Sequence, residues 1–147
     1  MDIKILTPRF AVGPQIGLDD LRTLVDHGYR SVICNRPDGE GADHPSFAEI
    51  ETACRDAGLQ AAYLPVVPGK VSDADATAFG TILESLPEPT FAFCRTGARA
   101  ATLWALSEAD RGRQLADILT ATKGAGYDLT DTVRRVAAGG HTPTDAA

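Results

Sequence analysis

Residues 91–106 constrain the fold more than any other stretch. Phe91-Ala92-Phe93 reads as a short strand with no polar face, and Cys94-Arg95-Thr96-Gly97-Ala98-Arg99 follows as a tight polar turn. Ala101, Leu103, Trp104 and Leu106 then recur with the spacing of a helix. A fully apolar strand must be covered on both faces, and a helix that starts straight after it can supply one cover. The same grammar occurs earlier in the chain. Arg9–Val12, Ser31–Cys34 and Ala61–Val66 read as strands. Helical patterns follow them: Leu18/Leu21/Leu24/Val25, Phe47/Ile50/Cys54/Ala57 and Ala76/Phe79/Leu83/Leu86. Ser46 with Glu49 and Ser72 with Asp75 have the spacing of capping boxes that would start the second and third helices.

Alternation of this kind predicts an α/β fold, with a central, mainly parallel sheet of 4–5 strands flanked by helices. Ligands in such sheets bind beyond the carboxyl ends of the strands. That edge should gather the segments after Cys34, after Val66 and from Cys94 onward. Two further helical stretches follow, one with Leu115, Ile118 and Leu119 and one with Leu129, Val133 and Val136. Residues 1–140 suit one domain, with 141–147 as a flexible tail.

Composition narrows the range of partners. A formal charge of -6 speaks against nucleic acid or an anionic membrane, both of which need a basic face. Three widely spaced cysteines, Cys34, Cys54 and Cys94, suggest neither a zinc site nor a disulfide framework. No cofactor or metal is expected, and a reduced, cytoplasmic setting fits best.

Cys94 is the candidate nucleophile. A thiol at a helix N-terminus faces free backbone N–H groups and the positive end of the helix dipole, so its anion is favoured. Arg95 and Arg99 add positive charge, and Gly97 allows the amides from Arg95 to Arg99, including those of Thr96 and Ala98, to converge as an anion nest. Cys54 falls in an apolar helical stripe and reads as core. Cys34 ends a strand on the same edge; it reads as buried filler or as a thiol able to resolve an oxidised Cys94. Asp73 and Asp75 fit as first-turn helix acids or as proton donors above Cys94. Asp38 and Arg36, in Asn35-Arg36-Pro37-Asp38-Gly39, are turn residues by type and accessory site residues by position. His44 and His141 have no partner that would make a Cys/His dyad.

Cys94-Arg95-Thr96-Gly97-Ala98-Arg99 resembles the C-x-x-G-x-R loop of rhodanese-type sulfurtransferases. Cysteine phosphatases use C-x-x-x-x-x-R, with one more residue between thiol and arginine. Phe93 and Ala100 also stand where phosphatases usually carry His and Ser or Thr. Over roughly residues 3 to 130 the chain resembles a bacterial family, the beta-lactamase hydrolase-like phosphatase-like domain, sometimes labelled a sulfur transferase. The segments that carry this resemblance are Arg9-Phe10, Asn35 to Glu40, Leu64-Pro65-Val66, Phe91 to Gly97 and Ala125 to Leu129.

The resemblance implies a dual-specificity-phosphatase-like fold with a shorter, rhodanese-like loop. It also implies sulfur transfer through a Cys94 persulfide, from a small anionic sulfur donor to a thiol or cyanide acceptor. Family members occur alone or fused to a persulfide dioxygenase, which makes such an enzyme a candidate partner. This chain has no H-x-H-x-D-H motif of that dioxygenase. Two alternatives stay open: a phosphatase working through a Cys94 phosphoenzyme, and a non-catalytic persulfide carrier or thiol sensor.

Overall fold

A computed structural model describes residues 1–137, with backbone only for 134–137. The expected tail, 141–147, and His141 lie outside the described residues. Five strands form one sheet: β1 (Lys4–Thr7), β2 (Phe10–Gly13), β3 (Ser31–Cys34), β4 (Gln60–Tyr63) and β5 (Thr90–Phe93). Their spatial order is β1-β2-β5-β3-β4. The β2–β5, β5–β3 and β3–β4 pairs are parallel, and β1 runs antiparallel to β2. The parallel sheet expected from the alternation is therefore present, with β5 at its centre. The sequence reading missed β1 because Ile3, Lys4 and Ile5 form too short and mixed a run to register. The third expected strand, Ala61–Val66, is shorter in the structure, since β4 stops at Tyr63 and Leu64 begins the loop.

Side chains alternate across the strands and divide the core in two. Phe10, Val12, Ile33 and Ala92 face one layer, packed under α3 (Asp73–Ser85), α4 (Ala98–Asp110), α5 (Leu115–Gly124) and α6 (Thr130–Ala137). Ala11, Val32, Cys34, Phe91 and Phe93 face the other, under α1 (Asp20–Asp26) and α2 (Phe47–Ala57). On the first side Trp104 of α4 stacks on Phe10 at 6.0 Å between ring centroids, and Phe79 meets Phe10 edge-on at 5.8 Å.

Both capping boxes form. The Ser46 hydroxyl accepts from the Glu49 amide at 3.2 Å, and that of Ser72 accepts from the Asp75 amide at 3.0 Å. The helix after β2 starts later than its periodicity suggests: Asp19 is its N-cap, and Leu18 lies outside it, 41% exposed. Cys54 is fully buried in α2, as its place in the apolar stripe required.

Candidate active site

The parallel register brings the carboxyl ends of β2, β5, β3 and β4 to one edge. Four loops therefore meet there: the three expected from the sequence, and the Gly13-Pro14-Gln15 segment after β2. Backbone bonds join them. The Gln15 amide donates to the Arg95 carbonyl at 3.2 Å, the Asn35 amide to the Phe93 carbonyl at 2.8 Å, and the Val66 amide to the Asn35 carbonyl at 3.0 Å.

Cys94 stands just past the end of β5 and has no solvent-exposed surface. The Gly97 amide donates to its sulfur at 3.1 Å. The expected nest of amides is only partly realised, because the Ala98 amide donates to the Thr96 hydroxyl at 3.3 Å instead. Gly97, the N-cap of α4, has φ +93, a conformation that a side chain would strain. A Cβ there would overlap the Tyr127 hydroxyl and meet the Gly13 carbonyl at 3.2 Å. The loop is thus closed from beneath by two residues far from it in sequence.

Arg99, in the first turn of α4, is the most constrained cation of the site. Its Nη1 and Nη2 each donate to a Glu40 carboxylate oxygen at 2.7 Å, and Nη1 also donates to the Val66 carbonyl at 2.9 Å. Burial opposes the Arg99 charge, but Glu40 and the Cys94 sulfur outweigh it, so the guanidinium holds its proton more firmly than usual. Arg36 donates from Nε to the same Glu40 carboxylate at 3.1 Å and from Nη1 to the Gln15 side chain at 3.1 Å. A relay results: Gln15 holds Arg36, Arg36 and Arg99 share Glu40, and Arg99 faces the thiol. Glu40 is held below its ordinary value, first by the hydrogen bonds from Arg99, against burial and with help from Arg36.

A cavity of about 390 Å³ opens on the outer face of the loop. Arg95, Thr96, Ala98 and Arg99 line it on the loop side, with Val71 and Leu106 among its apolar walls. None of the described residues lining it is acidic. Arg95 and Thr96 are exposed, whereas Arg99 is buried.

None of the candidate acids Asp38, Asp73 and Asp75 lines the cavity. Asp75 closes its capping box by accepting from the Ser72 amide at 3.2 Å, and so serves α3. Asp73 sits beside it in the first turn of α3 and does not line the cavity. Asp38 accepts from the Phe47 amide at 2.7 Å and so binds the start of α2, while its own amide donates to the Tyr63 hydroxyl oxygen at 2.8 Å. The contact of Asp75 is a helix-start contact, whereas the Asp38 carboxylate reaches past its own turn to the start of α2. Arg36 is accessory in a different sense, acting on Arg99 through Glu40. Cys34 is buried; burial pushes its thiol up to about 11, and it donates to the Arg36 carbonyl at 3.4 Å. That environment suits a packed thiol better than a resolving one.

Two contributors escaped the sequence reading. Glu40 was seen only as part of a polar loop, because nothing in one sequence pairs it with Arg99. Tyr127, between α5 and α6, donates its hydroxyl to the Thr96 carbonyl at 3.0 Å, and the Lys4 ammonium lies 5.0 Å from its ring centroid. Burial, followed by the Cys94 charge, pushes this phenol up to about 12, so it remains a donor. The α5–α6 connection therefore supports the loop, and Thr132 of α6 lines the cavity, a role the sequence left open.

Residues 2–111 match the family model described as beta-lactamase hydrolase-like protein, phosphatase-like domain. A beta-lactamase hydrolase-like protein of Xylella fastidiosa is 35% identical over 130 residues, covering 88% of this chain and 30% of that protein. The chain thus spans about 30% of the length of the curated relatives it matches. Among solved structures, a Neisseria meningitidis protein described as a candidate phosphatase superposes with TM-score 0.80 at 29% identity, covering 92% of this chain and 96% of that one. A phosphotyrosine complex of P. aeruginosa TpbA superposes with TM-score 0.63 at 15% identity, covering 94% and 91%, which is a likeness of fold. The mixed α/β architecture is that of cysteine phosphatases. These likenesses speak for the phosphatase alternative more than for sulfur transfer, and leave the carrier alternative untouched.

Proposed function

The chain belongs to the beta-lactamase hydrolase-like protein, phosphatase-like domain family, and from that premise we propose that it is a sulfurtransferase built on a cysteine-phosphatase fold. One observation carries this reading. The loop closes on Cys94 with only four residues before Arg99, and it leaves the sulfur no exposed surface. A single terminal sulfur atom asks less room of such a ring than a three-oxygen phosphoryl group. That none of the described residues lining the cavity is acidic agrees, because sulfur transfer between anions needs no proton donor.

The Cys94 thiolate attacks the terminal sulfur of thiosulfate or of a low-molecular-weight persulfide. A sulfur–sulfur bond forms, the donor's own sulfur–sulfur bond breaks, and sulfite or the donor thiolate leaves with the electron pair. The terminal sulfur of the new Cys94 persulfide is an anion, stabilised by the Gly97 amide and the Arg99 guanidinium. A thiolate or cyanide then takes that sulfur, and the Cys94 thiolate leaves. Glu40 and Arg36 hold Arg99 in place without touching the reacting atoms.

The second reading is hydrolysis of a phosphomonoester through a Cys94 phosphoenzyme, favoured by the family description and by the fold neighbours. It needs a donor for the leaving alcohol, and Asp73 is the remaining candidate. Steady-state assays divide the two. Thiocyanate formed from thiosulfate and cyanide, and lost in Cys94→Ser, supports sulfur transfer. Phosphate released from an aryl phosphate, and lost in both Cys94→Ser and Asp73→Asn, would replace it with hydrolysis.

A further inference from the structure

The two arginines of the cavity are in opposite electrostatic states. Arg99 is buried, and its charge is shared with a carboxylate at two 2.7 Å contacts. Arg95 lines the same cavity, is exposed, and has no ion-pair or hydrogen-bond partner for its side chain among the described residues. Its backbone is fixed, since its carbonyl accepts from Gln15 at 3.2 Å. The root of the side chain is therefore held while its guanidinium is uncommitted. Glu40, the acid of this network, already binds both Arg36 and Arg99. Val71 and Leu106 give the cavity an apolar wall, so an occupant meets apolar surface as well as the two cations.

We infer that Arg95 recognises a second anionic group on the substrate, remote from the reacting one, and that the preferred substrates are organic dianions with a short apolar body. Resting on the reading of Cys94 as the reacting group, this inference divides the labour: Arg99 serves the reacting end, and Arg95 selects the far end. A carboxylate is the simplest group that fits, because a guanidinium matches it with two parallel N–H bonds. An exposed pair of this kind improves affinity by about fivefold, and less at high salt.

The test compares benzenesulfonate with 3-sulfobenzoate, which adds one carboxylate to the same ring. Dissociation constants come from NMR titrations that follow the Arg95 and Gly97 amides. Wild type should bind 3-sulfobenzoate about fivefold tighter. Arg95→Ala should remove that preference, and Arg95→Lys should keep part of it. Equal constants in wild type, no binding of either compound at millimolar concentration, or a preference that survives Arg95→Ala would each overturn the inference. Because this readout needs no turnover, a failure of the sulfur-transfer reading and a failure of the Arg95 assignment are seen separately.

Discussion

Glu40→Gln tests the relay behind Arg99 most sharply. The carboxylate accepts three charge-assisted bonds, two from Arg99 at 2.7 Å and one from Arg36 at 3.1 Å. Glutamine preserves the shape but offers a single acceptor, and it turns an NH₂ group toward one of the guanidinium groups. Breaking a buried pair by removing one partner costs about 3–5 kcal/mol. Side-chain exposure is 9% for Arg99 and 18% for Glu40, so water relieves part of that cost and about 2–3 kcal/mol is expected. For a chain of this size the loss corresponds to a fall in Tm of about 6–9 °C.

The pH dependence follows from the same contacts. Glu40 is depressed in the folded state, so its stabilisation is fully present above the unfolded glutamate value of about 4.3 and fades as pH falls through the lower folded value. Wild type should therefore lose Tm on acidification below that point, and Glu40→Gln should lose correspondingly less. Thermal melts from pH 7 down to pH 3 measure both effects. A variant whose melting temperature matches wild type at pH 7, with a parallel acid limb, would refute the relay.

The loop itself yields three further expectations. Gly97→Ala places a Cβ on the Tyr127 hydroxyl at positive φ and should cost about 2 kcal/mol; adding Tyr127→Phe should recover part of the loss in denaturant melts, since it removes the overlapping atom. Tyr127→Phe alone removes the bond to the Thr96 carbonyl, so it should loosen the loop and lower kcat more than it raises KM for thiosulfate. Cys34 and Cys54, pushed by burial to about 11 and about 12, should resist alkylation at pH 8 until the protein is unfolded, which peptide mass spectrometry after iodoacetamide would show.

Local features of this fold could be read from the chain because they repeat short-range chemistry. Ser46 with Glu49 and Ser72 with Asp75 announce helix starts, and both boxes form. The apolar run at Phe91–Phe93 announces a central strand, and β5 pairs on both sides. What escaped depends on distant pairing. Glu40 and Arg99 are 59 residues apart, and Thr96 and Tyr127 are 31 apart. No propensity or period encodes such contacts. The capping reading of Asp75 is available from spacing, whereas the bond between the Asp38 carboxylate and the Phe47 amide, nine residues on, is not. Full convergence of amides on Cys94 is not reached because the Thr96 hydroxyl offers the Ala98 N–H a local acceptor, a competition characteristic of hydroxyl side chains.

Intact-protein and peptide mass spectrometry after incubation with thiosulfate addresses the central claim most directly. One additional sulfur atom on the peptide that contains Cys94, removed by cyanide and absent from Cys94→Ser, is the predicted result. A Cys94 that gains no sulfur from thiosulfate and instead acquires a phosphoryl group from an aryl phosphate would contradict it.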